Sequence, residues 1–191
     1  MMVGVRRVLL TSALLLTTAA VAACGDGPAA SPSVGRPALD PSGEPFAFPD
    51  TGSIDLPASW TITPGPEGGP ELVRATSGQG AIVVWRYPRA EPLPSTKKDL
   101  VNTRRSLKAA VKTRDPQFEL SAALLRRIPE PAVELAGTGT MAGAKRSIRS
   151  LHGYANGYET VVDCIGPLAD SAQFNETICT PVLDSLSLAN S

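Results

Sequence analysis

Residues 145–165 read KRSIRSLHGYANGYETVVDCI. Two runs, Lys145–Tyr154 and Tyr158–Ile165, flank Ala155-Asn156-Gly157. Asn-Gly between apolar strands is the strongest short hairpin signal, because the tight turn matching strand twist needs positive φ at both central residues. With Asn156-Gly157 as a two-residue loop, Ser150 opposes Asp163 and His152 lies diagonally beside it on the same face. Directly opposed residues stand about 5 Å apart and diagonal ones about 7–8 Å.

Upstream of this hairpin, Val133-Glu134-Leu135 alternates and follows a Pro129-Glu130-Pro131 turn. In Phe118–Ile128, alternation of Phe118, Leu120, Ala122 and Leu124 favours a strand, although Leu120, Ala123, Leu124 and Ile128 also fit a helix. Gly137 to Gly143 is glycine-rich but matches neither phosphate-loop spacing and precedes a strand, so it reads as a flexible hairpin turn. Ser95 to Arg114 is the one long helix. Pro94 precedes two able caps, Asp99 sits three residues after Thr96, and Leu100, Thr103, Leu107, Ala110 and Val111 share one face. Asp115-Pro116 ends it.

Further toward the N-terminus, Glu71–Thr76 and Ala81–Tyr87 flank Ser77-Gly78-Gln79-Gly80 as a second hairpin. Ile82-Val83-Val84-Trp85 is apolar on both faces and belongs centrally in a sheet. Toward the C-terminus, Leu168–Leu188 is helical at its end, with Thr180 as cap and Pro181 at the first helical position. Strands, helix, strands, helix describe an α+β domain: a mostly antiparallel β-sheet with one long central helix and a C-terminal helix packed on it. Residues 51–191 suffice for one self-sufficient core.

The N-terminal quarter is of another kind. Arg6-Arg7 opens an apolar run, Val8–Ala23, too short for a spanning helix of about 20 residues. It ends in Val21-Ala22-Ala23-Cys24-Gly25, which resembles a bacterial lipobox. That resemblance implies a signal peptide over residues 1–23 and a lipid on Cys24. The alternative, cleavage after Ala22 as an ordinary secretory signal, leaves three cysteines, an odd number for an oxidising compartment. Lipid on Cys24 leaves Cys164 and Cys179 as an even pair. Two or three acyl chains, at about 0.8 kcal/mol per buried methylene, hold a protein on a membrane stably. Residues 24–50, with a proline every few positions, read as a disordered tether. Arginine in excess of lysine, with abundant Ala, Pro and Gly, suits a high-GC, actinobacterial-type source.

The domain resembles the Mog1/PsbP-like fold and the exported lipoproteins that share it. The residues that carry the resemblance are Asp55-Leu56-Pro57 with Trp60, the Ser95–Arg114 helix and Pro131-Ala132-Val133-Glu134-Leu135, then the Tyr154–Tyr158 hairpin and Pro181-Val182-Leu183-Asp184-Ser185-Leu186. The resemblance implies an accessory or binding module on a larger assembly and assigns no site.

Eighteen basic against eighteen acidic side chains argue against nucleic acid as partner. One histidine and three cysteines leave little for a multi-ligand metal site, and no cofactor is expected. Cys164 and Cys179 read as a structural disulfide, since no Cys-x-x-Cys is present. Ser150, His152 and Asp163 share a face as a hydrolase triad would, without a nucleophile elbow or an oxyanion donor. Arg105, Lys108 and Lys112 form a basic helix face suited to anionic headgroups or an acidic protein. The leading expectation is a non-catalytic envelope protein, lipid-anchored on the extracytoplasmic face, that binds a protein partner. The alternatives are a small-molecule or lipid carrier with a cleft between sheet and helix, and a hydrolase using Ser150, His152 and Asp163.

Overall fold

The computed structural model describes residues 45–49, 52–128 and 130–188, all inside the compact unit Pro37–Ser191. Cys24, the segment 1–23 and the tether up to residue 44 lie outside the described residues. The described residues include a strand inside the stretch 24–50 that the sequence reads as a tether. Strand β1 (Pro45–Ala47) pairs antiparallel with β2 (Gly52–Asp55), and Phe48 is buried in the core.

A seven-stranded antiparallel sheet dominates. It comprises β3 (Thr61–Pro64), β4 (Glu71–Thr76), β5 (Ala81–Pro88), β6 (Glu119–Ile128), β7 (Glu130–Met141), β8 (Ala144–Ala155) and β9 (Tyr158–Pro167). Their spatial order is β3-β4-β5-β9-β8-β7-β6. The apolar strand β5 is interior, between β4 and β9, and Ile82, Val83 and Val84 are buried on both faces. Asn156 and Gly157 take φ of 51° and 78°, and the register sets Ser150 opposite Asp163.

The glycine-rich stretch is not the turn its composition suggests. β7 runs through to Met141, and only Ala142-Gly143, at φ 49° and 77°, turns the chain. Gly137 is required by a close approach instead, since a Cβ there would stand 2.5 Å from the Phe118 ring and from the Glu119 carbonyl.

Helix α1 (Lys97–Arg114) starts at Thr96, whose Oγ1 accepts from the Asp99 amide at 3.1 Å while Asp99 accepts from the Thr96 amide at 2.9 Å. This reciprocal cap satisfies two donors that a helix start leaves open. α1 packs over β6 and β7, where Leu100 joins Val133, Leu135 and Tyr154 in a small core flanked by Leu107 and Val111. It thus covers one end of a sheet face and is not central to it.

The larger core lies on the other face. There Ile82, Val84, Leu151 and Val162 meet Phe174, Ile178, Val182 and Leu183. These last four come from a helical segment that continues from α2 (Ser171–Phe174) through a π-helical turn, Asn175–Cys179, into α3 (Thr180–Asp184). Thr180 is therefore no cap: its backbone is helical, and its Oγ1 accepts from Arg149 Nη1 at 2.8 Å. The last described residues form a strand, β10 (Ser187–Leu188), against β2, in place of the helix that the sequence predicts there.

Candidate functional site

Because α1 lies over β6 and β7, the same sheet face is left without a helix where it continues across β8, β9 and β5. The result is a cleft of about 580 Å³, within the size range of small-molecule sites. Leu107, Ala110, Val111 and Arg114 form its helix wall, Phe118 and Met141 an end, and Trp85 and Tyr87 the opposite wall. Alternation in the strands sends Ser150 and His152 of β8 and Glu159, Val161 and Asp163 of β9 into the floor.

The floor carries two separate hydrogen-bonded groups. Ser150 Oγ donates to Asp163 Oδ1 at 2.5 Å, and Trp85 Nε1 donates to Asp163 Oδ2 at 2.9 Å. His152 Nδ1 meets Glu159 Oε1 at 2.9 Å, the Tyr154 hydroxyl donates to the same oxygen at 3.1 Å, and Arg89 Nη1 reaches Oε2 at 3.2 Å. Burial pushes the Glu159 carboxyl up, but the bonds to His152 and Tyr154 and the Arg89 charge outweigh it and hold Glu159 below the ordinary carboxylate range. Burial, with the Glu159 charge, drives the Tyr154 phenol far above its ordinary value. Tyr87 is raised by burial and by the charge of Asp163.

Ser150 and Asp163 thus stand as the register predicts, whereas His152 turns to its other diagonal neighbour, Glu159. Glu159 was legible in the same pairing, since it lies across from Tyr154 and diagonal to His152. Among the described residues no hydrogen bond joins His152 to Ser150 or Asp163, so Ser150 pairs with Asp163, His152 pairs with Glu159, and no relay links the three predicted residues. Nor does any group of three or more His, Cys, Asp or Glu side chains among these residues suit a metal ion.

Arg105, Lys108 and Lys112 are exposed on α1 and do not line the cleft. Arg105 Nη1 donates to Asn102 Oδ1 at 3.2 Å. Cys164 and Cys179 are joined in a disulfide with Cα atoms 5.7 Å apart, within the core on the far face of the sheet.

An antiparallel sheet with α1 over one face and a C-terminal helix over the other defines an α+β domain. No family model matches the sequence, and no curated protein matches it. Solved structures do. The PsbP homologue CyanoP of Synechocystis sp. PCC 6803 superposes with a TM-score of 0.59 at 14% identity, covering 84% of this chain and 98% of that one. A Bacteroides thetaiotaomicron protein gives 0.53 at 14%, covering 78% of this chain and 49% of that one. LpqN, involved in cell envelope biogenesis of Mycobacterium tuberculosis, gives 0.50 at 16%, covering 75% and 90%. At such identities the likeness is one of fold.

Proposed function

We propose that this protein is a lipid-anchored accessory protein of a bacterial envelope that binds a ligand in the cleft between α1 and the sheet and carries out no reaction on it. The observation that carries this reading is the cleft itself: apolar walls around a few convergent polar groups, in which His152 is engaged by Glu159 and the serine is left without a base. Cys24 supplies the anchor. The likeness to LpqN supports an envelope setting. No described helix is long and apolar enough to cross a membrane.

Metabolic labelling with an alkyne fatty acid tests the anchor. The expected result is label on the full chain in the membrane fraction, absent after Cys24→Ser. An unlabelled wild-type chain contradicts it.

A second reading, a protein partner held by Arg105, Lys108 and Lys112, is favoured by one observation: all three are exposed, and among the described residues none is in an ion pair. Reversing all three charges abolishes cross-linking to such a partner if this face makes the contact, and retained cross-linking removes the idea.

A further inference from the structure

We propose that the cleft takes an organic cation, an amine or quaternary ammonium on an apolar body, with its charged nitrogen held by Asp163 between the rings of Trp85 and Tyr87. The assignment rests on the reading of the cleft as the binding site and adds the chemistry of what enters it.

The two floor carboxylates differ in what answers their charge. Glu159 faces Arg89 and His152. Asp163 receives only the neutral donors Ser150 and Trp85, and among the described residues no basic side chain is within ion-pair reach of it. A carboxylate accepts at about four lone-pair sites, so these two bonds leave Asp163 able to take more. A purely apolar ligand covering Asp163 would strip water from a charge and return nothing, which is strongly unfavourable. A cation replaces that water.

The walls agree with the floor. Trp85, Tyr87 and Phe118 line the cleft, and aromatic faces attract cations through their quadrupole, Trp most strongly. α1 ends at the cleft, with Arg114 and Asp115 on its lining, so the negative end of the helix dipole adds to the same field. Asp115 has no ion-pair partner among the described residues. Arg114 opposes the field, and its side chain is exposed at the rim. An anion would meet Asp163, Asp115 and the helix C-terminus, with Arg114 alone among the lining residues to offset them.

The test titrates the full chain, held in amphipol, with three probes sharing one ring: benzyltrimethylammonium, benzyl alcohol and phenylmethanesulfonate. Calorimetry should show the cation binding at least about tenfold more tightly than the other two, the scale of a desolvated cation–aromatic contact. Asp163→Asn, which can still accept from Trp85 or Ser150, should bring the three within about twofold of each other. Should that variant melt early, Tyr87→Leu at the exposed rim serves instead, weakening the cation several-fold more than it weakens benzyl alcohol. Ala110→Trp, which fills the cleft from an exposed helix position, should abolish all binding. Equal binding of the three probes, lost in Ala110→Trp, overturns the cation and leaves the cleft reading standing. No binding, or binding that survives Ala110→Trp, overturns both.

Discussion

Replacing Glu134 by alanine should lower the melting temperature by roughly 10 °C. Glu134, on β7, has a side chain only 4% exposed and bridges two arginines. Its Oε1 accepts from Arg149 Nε at 2.7 Å and its Oε2 from Arg126 Nη1 at 2.5 Å. The arginines carry the network onward: Arg149 reaches Thr180, and Arg126 pairs with Asp184, both on the C-terminal helix. Without Glu134, two arginines that are 13% and 20% exposed keep only their outer contacts. Breaking a buried ion pair from one side removes about 3–5 kcal/mol; the part exposure of the arginines favours the lower value. For a domain of this size each kcal/mol moves the midpoint by about 2–4 °C.

The same network predicts a dependence on pH. Burial raises the Glu134 carboxyl, but the bonds and charges of Arg149 and Arg126 outweigh it and hold the folded value below the ordinary range. A carboxyl depressed on folding contributes stability that is complete above its unfolded value, about 4.3, and is lost as pH falls through the folded value. Calorimetry from pH 7 to pH 3 should therefore show the wild type losing stability below about pH 4.5, and Glu134→Ala losing less over that interval. Glu159, shifted in the same direction, keeps the variant's slope above zero. Equal midpoints for wild type and variant at pH 7 would remove the network from the account.

Cys164→Ala with Cys179→Ala should destabilise by about 3 kcal/mol, the entropy of opening a loop of this length. The bridge spans 15 residues and ties β9 to the end of the π-helical turn. Both cysteines are almost wholly buried, at 1% and 0% exposure. Dithiothreitol should consequently leave the folded protein oxidised and act only as it unfolds, measured by thiol labelling alongside the melt. Because the bridge lies on the far face of the sheet from the cleft, cation binding below both midpoints should be unchanged. A variant melting within a degree or two of wild type would show that packing alone seats the C-terminal helix.

Elements whose signal is local were legible in the sequence. The Asn156-Gly157 turn carried the register of β8 on β9, and the Thr96–Asp99 cap marked the start of α1 to within two residues. Signals that depend on a distant neighbour were not. Glu134 sits in an alternating strand, where an acid reads as solvent-facing, and only the helix roofing that face makes it buried. Gly137 reads as a loop glycine until Phe118 is seen against it. Thr180-Pro181 has the form of a helix start, but the π-helical turn carries the helix straight through it. Within the site, strand pairing placed Ser150, His152 and Asp163 on one face. The partition into two pairs followed from Trp85 and Arg89, which come from β5 and the segment after it. A cleft between sheet and helix was among the expectations, yet its walls depended on α1 covering β6 and β7 alone.

Native mass spectrometry of the full chain taken from its own membranes tests the cleft as the binding site most directly. A small molecule should be retained on the folded wild type and missing from Ala110→Trp, whose melting temperature should stay close to that of wild type. A folded, lipidated wild type that carries nothing, or an adduct that persists in Ala110→Trp, would contradict it.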